Sequence, residues 1–262
     1  PLLSSGSISV YVPPADASAP ASGNTSTNTV RGGGCTGTSA ASLTALAPHD
    51  HIGHTASTQP TLVWFSPEEG AYNMEFRIVE YGTNHQTNQP FSPVYETEFI
   101  STERTSVQGI GQFDLSEANV TLTPGKSYRW QVVLVCNPSF PSESLMAEAD
   151  LMVAPMPSAI TPMATDSLNH RVDTYASAGL WYDAMAEAVS IDSSDAQNIQ
   201  TELLEALVDM AQEAPTSVDT VPTLPAIDGV IEASLTDDAE ATSLQGNRIQ
   251  AVINSLTAPD DL

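Results

Sequence analysis

The chain has 262 residues and carries 32 Asp and Glu against 7 Lys and Arg, a net charge of −25. Nucleic acids are polyanions held mainly through Lys and Arg, so a chain with a single lysine, Lys126, is excluded as an ordinary nucleic-acid binder, and anionic membrane surfaces are disfavoured for the same reason. No apolar run approaches the roughly 18 residues of a membrane-crossing helix, and no membrane insertion is expected.

The first residue is Pro1 rather than Met, which is read as the trace of a removed export signal and predicts a secreted or cell-surface protein. Residues 7–12 alternate so that Ile8, Val10 and Val12 share one face of a short strand, which also contains Tyr11 and is stopped by Pro13 and Pro14. Residues 15–34 are dominated by Ala, Ser, Thr, Asn, Pro and Gly, too little apolar area to offset the entropy of ordering. Residues 1–34 are therefore expected to be an N-terminal strand on a flexible linker.

Cys35 and Cys136 lie far apart, a spacing that suits a disulfide better than a metal site of closely set thiolates; the alternative is two buried free thiols. Between them, His49, Asp50, His51 and His54 fall within six residues. Two imidazoles flanking a carboxylate, with His54 as a third nitrogen, form a candidate Zn²⁺ or Cu²⁺ site, against the alternative of a polar loop after Pro48. No cofactor is otherwise expected.

From residue 61 to 153 the pattern has period two. Strands are expected over 61–65, 72–79, 94–100, 107–113, 127–136 and 145–153, separated by breaks containing Pro, Gly and Asn. So many short strands predict an antiparallel β-sandwich, placed at residues 35–157. Its sharpest local signal, residues 122–132, resembles the corner of fibronectin type III and immunoglobulin-like domains. There the Pro124-Gly125 turn enters a strand and Tyr128 is expected to hydrogen-bond back across the corner.

After Pro155, Pro157 and Pro162 the period lengthens to that of a helix. Leu168, Val172, Tyr175, Ala176, Gly179, Tyr182, Ala186 and Val189 predict one amphipathic helix, capped by Asp166 or Ser167. A second is expected from about Ser194 to Glu213, with Ile199, Leu203, Ala206, Leu207 and Met210 on its apolar side, so that residues 158–214 form a helical region. Residues 215–262 are expected to be an acidic extension, extended over 218–231 and helical over 246–256. The class is α+β: an immunoglobulin-like sandwich followed by helices, with acidity concentrated in the helical half.

Gly32-Gly33-Gly34-Cys35, Leu43-Thr44-Ala45-Leu46-Ala47-Pro48, Pro60-Thr61-Leu62-Val63-Trp64-Phe65, the block around Tyr128, Val135-Cys136-Asn137-Pro138 and residues 175–184 occur in this order. Together they resemble a mostly cyanobacterial family known as domain of unknown function 928, over about residues 31–213. The resemblance implies an exported cyanobacterial protein with a β-domain and a helical tail, and brings no activity.

Neither a nucleophile elbow, a phosphate loop, a dinucleotide fingerprint nor a His-Glu-x-x-His run is present. Glu68-Glu69, Glu96 with Glu98, and Glu148 with Asp150 resemble glycosidase carboxylates only in type; alternation puts Glu96 and Glu98 on one face, read as solvated. Trp64, Trp130 and Trp181 are candidates for a sugar-stacking platform, but each sits in an apolar run and reads better as core. The expectation is a secreted, non-enzymatic subunit that forms homopolymers, donating Ile8, Val10, Tyr11 and Val12 to a neighbouring copy's sheet in an extracellular filament. The alternative is a binding module for envelope polysaccharide or metal, with the N-terminal strand paired in its own sheet.

Overall fold

The computed structural model describes residues 11–18, 35–36, 41–67, 72–80, 100–105, 108–155, 166–213 and 232–258. Among the described residues, eight strands and four α-helices follow in the order β1 (Thr44–Ala45), β2 (Gly53–Thr55), β3 (Thr61–Ser66), β4 (Asn73–Glu80), β5 (Ile100–Thr105), β6 (Gly109–Asp114), β7 (Ser127–Val135), β8 (Leu145–Val153), α1 (Leu168–Ser177), α2 (Trp181–Val189), α3 (Ser194–Glu213) and α4 (Glu232–Thr257). The class is α+β.

The strands form a three-stranded sheet, β1-β3-β6, and a five-stranded sheet, β2-β8-β7-β4-β5. Alternation sends Leu62 and Trp64 of β3 and Phe113 of β6 to one face, and Met74, Phe76, Ile78, Trp130, Val132, Leu134, Ala147, Ala149 and Leu151 to one face of the larger sheet. These faces meet. Phe76 lies against Trp64 at 5.0 Å and against Phe113 at 4.7 Å between ring centroids, so one ring from the larger sheet touches two from the smaller. At the turn before β7, the Thr123 N–H donates to the Tyr128 hydroxyl at 2.9 Å, and Gly125 takes φ 78°, a conformation glycine adopts without steric cost.

An antiparallel arrangement was expected throughout, but β2 pairs in parallel with β8. The chain leaves the smaller sheet after β1, crosses the histidine loop and enters the edge of the larger one, which fixes that direction. β5 is described over Ile100–Thr105, while residues 94–99 lie outside the described residues, as do 218–231.

The helical half departs from the sequence reading in two places. The expected single helix over 168–189 is two, since Gly179 takes φ 76° and turns the chain between α1 and α2. Hydrophobic periodicity survives this break because both helices bury the same side. The Ser167 hydroxyl accepts from His170 N–H to cap α1, and Arg171 Nε donates to Glu187 at 2.8 Å, tying α1 to α2. The expected terminal helix begins earlier, at Glu232, and runs to Thr257. It packs on α3, burying Ile249, Val252 and Ile253. Gly246 permits the close approach: a Cβ there would stand 2.8 Å from Ala211 Cβ.

Helix α2 packs against β2 and β3, and a continuous buried cluster runs from Tyr11 through both sheets to Ile253. Cys35 and Cys136 are joined in a disulfide that closes a loop of sequence separation 101 and is worth about 4–5 kcal/mol in the chain-entropy account. Among the described residues no helix is long and apolar enough to cross a membrane.

Gly111 lies opposite Trp64 on the paired strand, and a Cβ there would come within 2.5 Å of the indole. Gly111→Ala is therefore expected to cost about 1–3 kcal/mol in urea unfolding, and Trp64→Phe in the same chain to recover part of that loss.

Candidate functional site

Residues 11–18 form no strand; they cross the elbow between α1 and α2 and rest on their own chain. The strand conformation expected for Tyr11 and Val12 is thus absent, while Ile8 and Val10 lie outside the described residues. The reason is the side chain of Tyr11. Its ring is buried at 2% exposure, stacked 5.8 Å from the His51 ring and set edge-on 5.1 Å from Trp181. A buried phenol needs a partner, and the Tyr11 hydroxyl meets His51 Nε2 at 2.9 Å. The Val12 side chain points outward at 52% exposure while its N–H donates to the Ala176 carbonyl at 3.1 Å. Pro14 sits on Gly179, where a Cβ would approach Pro14 Cγ to 2.9 Å, so the glycine serves both the elbow and the arm. The Ile52 N–H donates to Ser18 O at 2.9 Å and closes the contact.

His51 is the hinge of this arrangement. Its Nδ1 meets Asp50 Oδ1 at 2.7 Å, so carboxylate, imidazole and phenol form a chain from Asp50 through His51 to Tyr11. With Nδ1–H given to Asp50, Nε2 accepts from the Tyr11 hydroxyl. Burial would raise the Asp50 carboxyl, but the hydrogen bond from His51 and the electrostatic effect of the neighbouring imidazoles outweigh it and hold the group below its ordinary value. Burial, reinforced by the Asp50 charge, pushes the Tyr11 phenol well above its ordinary value, so it stays protonated and able to donate.

The histidine loop does not assemble the expected metal site. Both ring nitrogens of His51 are occupied, and among the described residues no group of three or more His, Cys, Asp or Glu is placed to hold an ion. His54 is buried in β2, where desolvation lowers its pKa. His49 turns toward α3 and α4, and its buried Nε2 has no hydrogen-bond partner. The tryptophans are likewise core: Trp64 is 4% exposed, and Trp130 and Trp181 are fully buried, so they form no stacking surface for a polysaccharide.

Sequence reasoning missed two features. On the sheet face opposite the core, Arg129 grips Asp150 with Nε and Nη2 at 2.7 and 3.0 Å and lies 3.4 Å from Glu148, which also accepts from Gln131 at 2.7 Å. Glu148 and Asp150 are thus held by cross-strand partners, and burial raises the Glu148 carboxyl. The second is Asp183, in the first turn of α2, which accepts the Ala56 N–H at 2.9 Å and is raised by burial to about 6. Register supplies the signal for the first, since Arg129 and Asp150 are direct cross-strand neighbours. Nothing local signals the second.

A family model described as Domain of Unknown Function (DUF928) matches residues 26–218, and the chain belongs to that family. No curated protein and no solved structure matches it significantly. His51, Trp181 and Gly179 lie within the matched region, whereas Tyr11 and α4 lie outside it.

Asp183 and His49 have opposite effects on acid stability. Asp183, raised from 3.8 to about 6, stabilises the fold fully below 3.8 and loses that contribution as pH rises through about 6. His49, lowered by burial from 6.5 to about 4, contributes above 6.5 and loses its contribution as pH falls through about 4. Chemical denaturation of Asp183→Asn between these limits is expected to show stability rising more steeply with pH than in the parent, by up to about 3 kcal/mol in total. His49→Asn is expected to tilt the profile the other way.

Proposed function

We propose that the protein is an exported, non-enzymatic structural subunit that links copies of itself head to tail by exchanging its N-terminal arm. The observation that carries this reading is the Tyr11 anchor: one buried aromatic, two flanking main-chain hydrogen bonds and a proline on a glycine hold residues 11–18 in a groove built from elements far along the chain. The same contacts serve equally well within one chain or between two, which is the condition for swapping an element between protomers. The arm is attached through residues 19–34, whose length, at roughly 3.3 Å per extended residue, spans about 50 Å at full stretch.

Export is supported by the Cys35–Cys136 disulfide, since such bonds persist in oxidising compartments. An immunoglobulin-like character for the sheets is supported by Tyr128, whose hydroxyl ties the turn to the strand that follows it. In this reading the arm is not a donated strand. Affinity comes from the Tyr11 ring and its hydroxyl, and specificity from the His51 imidazole, which the Asp50 carboxylate orients.

Sedimentation velocity and negative-stain microscopy of the full chain are expected to show open chains that lengthen with concentration. Tyr11→Ala is expected to remain monomeric, and Tyr11→Phe, which keeps the ring and loses the hydroxyl, to form shorter assemblies. A full chain that stays monomeric at every concentration, or Tyr11→Ala assemblies as long as the parent's, would overturn the proposal.

A further inference from the structure

The groove that seats residues 11–18 reads its occupant at a fixed spacing. The rings of Pro13 and Pro14 hold φ at about −65°, and Val12 and Pro13, each preceding a proline, are pushed to extended backbone. Residues 11–14 lie in neither strand nor helix. These constraints give the backbone of a polyproline II helix, with about three residues per turn and no internal hydrogen bonds. On such a helix Tyr11 and Pro14 fall on one face, and Val12 and Pro13 fall on the others. Exposure follows that division: Tyr11 is buried and Pro14 is half-buried against Gly179, whereas Val12 and Pro13 are exposed.

Each part of the groove has a separate task. His51 and Trp181 enclose the Tyr11 ring, and His51 Nε2 accepts from its hydroxyl. The Ala176 carbonyl, near the end of α1, takes the Val12 N–H, the last backbone donor before two residues that have none. Gly179 leaves the space that the Pro14 ring fills, since a Cβ there would stand 2.9 and 3.1 Å from Pro14 Cγ and Cδ. Beyond Pro14 the chain turns, with the Ala17 N–H donating to Pro14 O at 3.0 Å, so the extended segment ends there. An aromatic-lined groove that takes a proline ring is a recurring way of recognising extended proline-rich segments. Such a segment loses little conformational freedom on docking, because its prolines already restrict it.

We propose that this groove is a receptor for a polyproline II segment of the form Tyr-x-x-Pro, read at the phenol and at the proline ring, and that residues 11–14 of a second copy are the segment it takes. The source of the segment rests on the arm exchange proposed above; the recognition chemistry rests on the groove alone. The chain's own arm is then a tethered competitor. Held through residues 19–34, it faces the groove at an effective concentration on the order of 1 mM, so a free segment meets a groove already filled. His51, Ala176, Gly179 and Trp181 all lie within the family-matched region and residues 11–14 lie outside it, so receptor and occupant are separate parts of the sequence.

The test is fluorescence anisotropy of a labelled peptide of residues 9–18 titrated with the full chain. The parent chain is expected to bind it weakly, and Tyr11→Ala, whose own arm lacks its anchor, about tenfold more tightly. Circular dichroism confirms that the variant folds. Against the Tyr11→Ala chain, a peptide carrying Tyr11→Ala is expected not to bind, Tyr11→Phe and Pro14→Ala peptides to bind several-fold more weakly, and a Val12→Thr peptide to bind as the unaltered one does. A peptide with one alanine inserted between Val12 and Pro13 sets the second proline four residues from the tyrosine, and is expected to lose about tenfold in affinity. Equal binding of the inserted and unaltered peptides would show a lone tyrosine pocket and overturn the proposal. So would failure of the unaltered peptide to bind the Tyr11→Ala chain at about 1 mM. A chain that binds peptides by this rule yet never assembles would overturn the second copy as donor and support the recognition chemistry. A chain that assembles while ignoring the peptide would overturn the recognition chemistry and leave arm exchange standing.

Discussion

The fold turns on a single phenol. The Tyr182 hydroxyl accepts from Trp130 Nε1 and donates to the Asp150 carbonyl, each at 2.9 Å, and all of these groups are buried. Breaking either contact strands a polar group away from water at about 1–3 kcal/mol, so the helical layer has one position on the sheets. The neighbouring residues reinforce it. Trp181 Nε1 donates to the Leu46 carbonyl at 2.9 Å, and Asp183 receives the Ala56 N–H, so three consecutive residues of α2 bind three separate parts of the β-layer. With α2 fixed, the elbow at Gly179 and the groove for Tyr11 have fixed coordinates, and the arm finds a preformed seat.

Asp150 links the two faces of the larger sheet. Its carbonyl serves Tyr182 on the core side, while its carboxylate is gripped by Arg129 on the other. Burying this ion pair costs desolvation, and its net worth in stability is small. Its value is in register. A one-residue slip of β7 against β8 would separate Arg129 from Asp150 and Gln131 from Glu148, leaving four polar side chains unmet while turning Trp130 to the wrong face. Strand pairing and helix docking are thereby set by the same pair of adjacent strands.

How much of this was legible in the sequence depended on the range of each interaction. The α+β class, the main strands and helix α3 followed from periodicities that a strand or helix imposes on its own residues. The family membership followed from ordered blocks such as Val135-Cys136-Asn137-Pro138. Gly179 was hidden because the apolar positions keep a helical period through the break, and only its left-handed φ separates α1 from α2. Tyr11 was read with its apolar neighbours as part of a strand, because nothing near it in sequence announces that His51 and Trp181 wait to receive its ring. The histidine loop looked like a metal site because spacing reports which residues are near, not where their ring nitrogens are committed. Asp50 and Tyr11 already occupy those of His51.

The net charge constrains how such a molecule can meet its own copies. Of the charged residues beyond position 161, 18 are acidic and two basic, so this part of one copy repels that of the next over a screening length of about 8 Å at physiological salt. Broad face-to-face contact would bring these charges within that distance and cost more than a modest apolar patch returns. The proposed arm exchange would avoid the conflict. Residues 11–15 carry no charge, and their seat is made of Ala176, Gly179, Trp181 and a His51 imidazole already paired with Asp50. In that exchange, contact area would be concentrated in one buried aromatic and its hydrogen bond, and the bodies would be held apart by the length of the chain between Ser18 and Cys35. Under the proposed exchange, an acidic surface and an uncharged anchor would be one design, since the first disfavours association through the bodies and the second would supply it at a distance.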